Sequence, residues 1–160
     1  MTARRIALVA GATGFIGSAV ARRLLADDWQ VIAPVRKGSD RTRLTGVCGM
    51  HLVEVEDYTV ESLRPAFSTR PQVVFNLASA GVAGAIGPEE AVAGNVTVVL
   101  NLLRAASEVG VRRFIHTGSC FEYASGSSGV LLSESSPVEP WSVYSAAKIA
   151  GVQLARASAR

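Results

Sequence analysis

The chain has 160 residues, 49% of them hydrophobic, with a mean hydropathy of +0.30, which is one domain's worth of sequence with enough apolar material for a real core. The formal charge is +3 and the pI near 9.2, but Lys and Arg occur in scattered pairs and are not striped with aromatics, so nucleic acid is not the expected partner. No run reaches the ~18–20 apolar residues of a membrane helix, and the two cysteines, Cys48 and Cys120, make no disulfide framework, so a soluble protein of the reducing cytoplasm is expected.

Residues 4–10 read as a buried first strand. The pair Arg4-Arg5 before an apolar run superficially mimics an export signal, but seven apolar residues running into a glycine turn suit a strand better. An amphipathic segment over about 15–26 follows, then a second strand over 31–35. Residues 38–49 are polar and glycine-punctuated, hence a loop. A third strand is expected over 51–55, a short helix over 60–67 that stops near Pro65, and a fourth strand over 72–78, apolar except for Asn76. Pro88-Glu89-Glu90 has the form of a helix start, and Val92, Val96, Val99, Leu100 and Leu103 recur at helical spacing up to a stop at Gly110. A fifth strand begins at Arg113 and runs to Thr117. Residues 125–140, rich in Ser, Gly and Pro, form a loop, and a last helix starts near Ser142. Strand–helix alternation at this pitch predicts an α/β fold, a doubly wound parallel sheet with right-handed crossovers.

Gly11, Gly14 and Gly17 stand three apart between the first strand and the first helix. The first permits a tight turn, the second lets backbone approach a pyrophosphate, and the third lets helix and sheet pack closely. Free N–H groups and the positive end of the helix dipole favour phosphate there. Three glycines could also be only a tight connection; the strand before and the helix after favour a dinucleotide. At the end of the second strand an NAD site usually carries an acid. Here the chain reads Val35-Arg36-Lys37, with no carboxylate before Asp40. A guanidinium fork at Arg36 is shaped for a 2′-phosphate, so NADP(H) is preferred and NAD stays open. The competing reading is a solvated basic loop formed by Arg36, Lys37, Arg41 and Arg43.

Tyr144 and Lys148 lie at i and i+4, on one helix face. A phenol that exchanges protons near neutral pH must lose roughly 3 units from its ordinary ~10. A neighbouring ammonium and a positive nicotinamide ring supply such a field. Alone, the pair is more often an exposed pair on a helix. Cys120 has no His placed to activate it and reads as a small core residue, and Cys48, His51 and His116 lack metal-ligand spacing, so no metal is expected.

The order of glycine turn, Asp57, Asn76-Leu77-Ala78, Asn95, Thr117-Gly118-Ser119, Tyr144 and Lys148 resembles the extended short-chain dehydrogenase/reductases, the NAD(P)-dependent epimerase/dehydratase family. The stretch from Gly118 to Tyr123 is most similar to members acting on nucleotide sugars. The resemblance implies a Rossmann sheet of strand order 3-2-1-4-5. It makes Tyr144 the general acid/base and gives Lys148 the nicotinamide ribose. Ser119, 25 residues before Tyr144, would hydrogen-bond the reacting oxygen. The segment Gly11, Thr13, Gly14, Phe15, Ile16 and Gly17 would take the pyrophosphate, with Asp57 and Tyr58 toward the adenine. Leu77, Ala78 and Ser79 would lie along the dinucleotide. Asn95 matches a family asparagine, with a buried residue bonded to backbone as the alternative. Ala124 stands where many relatives have Gly.

Family members are usually about twice as long, continuing into a C-terminal substrate domain. The 160 residues therefore read as one NAD(P)-binding domain with that substrate domain missing, and with the fifth strand at an edge. A homodimer through helices near 89–109 and 142–157 is the partner the resemblance implies. Two functions follow. One is an epimerase, dehydratase or reductase of nucleotide sugars. The other is a truncated, non-catalytic NADP(H)-binding module or sensor.

Overall fold

The computed structural model describes residues 5–81, 86–123 and 131–158. In chain order its elements are β1 (Ile6–Ala10), α1 (Phe15–Ala26), β2 (Gln30–Arg36), β3 (Met50–Val55), α2 (Val60–Phe67), β4 (Val73–Asn76), α3 (Pro88–Val92), α4 (Val98–Val109), β5 (Arg113–His116) and α5 (Val143–Ala157). All five strands are parallel, in the order β3-β2-β1-β4-β5. This is the expected doubly wound arrangement. Arg4 and Ala124, and the part of the serine-glycine loop from 125 to 130, lie outside the described residues.

β1 is central because its side chains are apolar on both faces, and Ala7 to Ala10 are each 0% exposed. Alternation sends Leu8 and Ala10 to one face, where they meet Ile32, Val74, Leu63 and Phe67 of α2, and Leu102 of α4. Ala7 and Val9 go to the other, against Val31, Ala33, and Ala21 and Leu24 of α1. Each fully buried Leu or Phe contributes roughly 1.5–3 kcal/mol.

Several expectations need correction. α2 has the expected span, Val60–Phe67, but Pro65 lies inside it and does not end it. Ala66 and Phe67 are buried in the core, and this packing outweighs the helix bond that the proline removes. The long helix after Pro88 is not continuous: a π turn over Ala93–Thr97 separates α3 from α4. Cys120 is exposed, not in the core, because it begins a 3-10 turn, Cys120–Glu122, at the sheet's open end. A second 3-10 turn, Thr42–Leu44, lies within the polar stretch after β2 and buries Leu44.

α5 starts where its sequence says it should. Ser142 Oγ accepts from Ser145 N–H at 3.1 Å, and Ser145 Oγ accepts from the N–H of Ser142 at 2.9 Å. This reciprocal cap places Tyr144 in the first helical turn. At the other end of the layer, α4 closes on Gly110 with φ 73°, and Val111 N–H donates to Ala106 O at 3.0 Å. A Cβ at Gly110 would meet nothing within 4 Å, so the cost of a side chain there is purely conformational. Gly110→Ala should lower stability by about 1–2 kcal/mol, read as a lower urea midpoint with an unchanged slope; an unchanged midpoint would remove the left-handed cap as a constraint.

Candidate functional site

The carboxyl ends of β1, β2, β4 and β5 open onto a trough of connected cavities. Its middle is the glycine turn. Gly11 has φ 81°, and a Cβ on it would stand 2.6 Å from Leu77 C and Ala78 N. A Cβ on Gly17 would stand 2.0 Å from Gly11 O. α2 and α5 have side-chain caps, from Thr59 and Ser142, whereas Gly14 gives α1 none. The first-turn N–H groups of α1 are thus unclaimed by a capping side chain at the place where a phosphate would sit. Ala12 is buried, while Gly14, Phe15 and Ile16 are exposed, Phe15 at 82% and Ile16 at 54%. Thr13 and Gly14 line a cavity of about 180 Å³ with Arg36, Tyr58, Leu77 and Ala78. These features fit a dinucleotide pyrophosphate.

At one end of the trough Arg36, the last residue of β2, is exposed and lines two adjoining cavities. Among the described residues it makes no ion pair. The basic group expected there is divided: Arg41 pairs with Glu54 at 2.5 Å and Lys37 lies 3.9 Å from Glu56. Tyr58 donates to Pro34 O at 3.1 Å, and burial pushes its phenol above the usual range. Asp57 is exposed, and its Oδ1 accepts from Thr59 Oγ1 at 2.6 Å and Thr59 N–H at 3.0 Å, which holds its carboxyl below the usual range.

At the other end Ser119, Tyr144 and Lys148 line one cavity of about 560 Å³, together with Gly14 to Gly17 and Leu77 to Ser79. Lys148 is 3% exposed and donates to Thr117 O at 2.7 Å. Burial lowers its ammonium's pKa, and the Glu122 carboxylate works in the opposite direction. The Tyr144 ring meets Phe121 edge-on at 6.2 Å.

Asn95 sits in the π turn, 1% exposed, and its side chain is fully committed. It accepts from Ser79 Oγ at 2.8 Å and Ala80 N–H at 3.3 Å, and donates to Ala80 O at 2.9 Å and Ala91 O at 3.0 Å. Asn95 thereby clamps the Ser79–Ala80 loop from behind. α5 packs backbone to backbone on the same turn: a Cβ at Gly151 would stand 2.6 Å from Asn95 O and 3.3 Å from His116 Nε2.

Residues 7–160 match the NAD dependent epimerase/dehydratase family. The chain belongs to that family. It is 32% identical over 157 residues to UDP-glucose 4-epimerase of Mycolicibacterium smegmatis, covering 90% of this chain and 48% of the relative. It is 29% identical to GDP-L-fucose synthase of Sinorhizobium fredii, covering 93% and 45%. Among solved structures, UDP-glucose 4-epimerase of Thermotoga maritima, determined with UDP-glucose, superposes with a TM-score of 0.85 at 28% identity, covering 97% of this chain and 51% of that one. The chain spans about half the length of the curated relatives it matches. Among the described residues no helix is long and apolar enough to cross a membrane, and no group of three His, Cys, Asp or Glu gathers for a metal.

Two polar residues, Glu122 and His116, were given no role from the sequence. Glu122 is 7% exposed behind Ser119. His116 lies beneath Lys148, where Asn76 Nδ2 donates to its Nδ1 at 3.1 Å. That bond puts the neutral ring's proton on Nε2, which is buried without a partner among the described residues. Glu122 stands three residues after Ser119, the spacing of a capping box and a signal that the sequence carries, whereas His116 gains its role from a contact between strand ends that no spacing shows. Burial, and the positive charge of Lys148 after it, push the His116 pKa down from 6.5 to about 4. Between those values the unfolded chain binds a proton that the folded one refuses, so stability held above pH 6.5 is lost as pH falls toward 4. His116→Gln should flatten this loss in urea titrations at several pH values; an equally steep loss in the variant would exonerate His116.

Proposed function

We propose that this chain is the NAD(P)-binding domain of an enzyme that oxidises a carbinol carbon of a nucleotide sugar or reduces the corresponding carbonyl, with NADP(H) as the preferred cofactor. The observation that carries the reading is the single cavity in which Ser119, Tyr144 and Lys148 face the trough of the glycine turn. Gly11 to Gly17 would hold the pyrophosphate, Arg36 the 2′-phosphate, Tyr58 and Asp57 the adenosine end, and Leu77 to Ser79 the length between. When bound, the dinucleotide supplies the acceptor or donor of a hydride. Everything else falls to side chains of this chain. Tyr144 takes the sugar hydroxyl proton as the carbon loses its hydride, or returns it to the carbonyl in the reverse direction. Ser119 hydrogen-bonds the reacting oxygen. Lys148 keeps a positive charge beside the phenol and binds the ribose. The nucleotide-sugar class rests on relatives such as UDP-glucose 4-epimerase and GDP-L-fucose synthase. The exposed, unbridged thiols Cys48 and Cys120 agree with a reducing cytoplasm. The partner that goes with this reading is a second copy of the chain, packed through the α4 and α5 layer.

Tyr144→Phe should cut turnover of UDP-glucose or GDP-linked sugars by roughly 10²–10⁴-fold while calorimetric cofactor affinity stays within about twofold, since the phenol contributes chemistry rather than binding energy. Turnover that survives the change would exclude Tyr144 as the acid/base.

The cofactor choice has its own test. Arg36→Asp should weaken NADPH by about 10–100-fold, the value of a charge-assisted contact, and leave NADH nearly unchanged. Equal losses for both cofactors would return Arg36 to the solvated loop.

A further inference from the structure

Ser119 is held by a residue of the Gly118–Tyr123 stretch to which the sequence assigned no role of its own. Glu122 closes the 3-10 turn Cys120–Glu122, and its Oε1 accepts from Ser119 N–H at 2.5 Å. Phe121 N–H in turn donates to Ser119 Oγ at 3.2 Å. The carboxylate lies so close beneath the preceding peptide that a Cβ at Gly118 would stand 2.8 Å from Oε1. Its own backbone is tied down as well, since Glu139 N–H donates to Glu122 O at 3.0 Å and Tyr123 bridges to Val138.

A carboxylate that is 7% exposed persists only where hydrogen bonds or an opposite charge offset its desolvation. Here both are present: the Ser119 amide binds it, and the charge of Glu122 counters the burial that disfavours the Lys148 ammonium. Glu122 does not line the cavity of Tyr144; it lines the neighbouring one, with His116 and Arg156. Its contact with the site runs through Ser119, and its charge also acts on Lys148. The geometry also orders the serine's proton. With Phe121 N–H on one lone pair of Oγ, the hydroxyl keeps its own hydrogen for a different acceptor.

We propose that Glu122 is a positioning residue of the active site, its buried carboxylate fixing the Gly118–Ser119 peptide so that Ser119 presents its hydroxyl proton to the reacting oxygen. This rests on the catalytic reading of Ser119, so the test has one arm that needs no turnover. In the intact chain the Ser119 amide proton, held by a short charge-assisted bond, should resonate well downfield. Glu122→Ala should return it to the ordinary amide range. Glu122→Gln keeps an acceptor without charge and should shift it only part of the way. Should the alanine variant fail to fold, Glu122→Asp, one methylene too short to reach, serves in its place. An amide signal indifferent to all three substitutions would overturn the contact and the proposal with it.

The second arm uses UDP-glucose with NADP⁺ or NAD⁺ as probes. Glu122→Ala should lower kcat by about 10–100-fold, the scale of a misplaced catalytic group, with KM and cofactor affinity unchanged and with most of the rate restored in Glu122→Gln. Ser119→Ala combined with Glu122→Ala should lose no more than Ser119→Ala alone. Additive losses would overturn the proposal. A Ser119→Ala enzyme as fast as the intact one would sink the catalytic reading of the serine, an outcome that the amide signal separates from loss of the contact itself.

Discussion

The arrangement depends on two backbones touching where side chains normally keep them apart. Gly17 brings the first turn of α1 so close to Gly11 that a methyl group there would overlap a carbonyl oxygen, at 2.0 Å. On its other side Gly11 lies so close to the Leu77–Ala78 peptide that a Cβ there would stand 2.6–2.7 Å from it. Three chain segments, the ends of β1 and β4 and the start of α1, thus meet without intervening side chains. The seam between them is the floor of the trough at the carboxyl ends of the strands. The apolar strand β1 can then lie at the centre of the sheet while its carboxyl end stays bare for a ligand.

Buried amides carry the next level of order. Asn76, 0% exposed at the end of β4, joins the turn at Ala78 to the His116 ring on β5. Asn95 gathers Ser79, Ala80 and Ala91. Each satisfies backbone or ring groups at strand ends that would otherwise be orphaned under a ligand. The π turn is the backbone adjustment that accompanies this clamp, placing Asn95 under the loop in the middle of an otherwise regular helical stretch.

Much of this was legible in the chain. The alternation of apolar runs and amphipathic segments led to five parallel strands, and α1 and α2 fell where periodicity put them, because local pattern and tertiary packing agree there. The glycine spacing and the Tyr144–Lys148 pair pointed to one end of the sheet for the same reason. What escaped was decided by contacts distant in sequence. Pro65 is tolerated because Ala66 and Phe67 are pulled into the core. The π turn answers to a loop 15 residues away, which no window of helical spacing can see. Cys120 reads as a core residue by size, and only the 3-10 turn beside it explains its exposure.

Gly151 joins the two halves of the site. Its bare backbone lets α5 rest on the π turn, with Asn95 O as the contact point. The loop clamp and the helix bearing Tyr144 and Lys148 are therefore referenced to each other by main-chain atoms. Substitutions on the outward faces of these helices can reshape what docks there without altering the spacing of the inner groups. The reactive corner has a ruler made of backbone, and surface divergence among relatives can proceed around it.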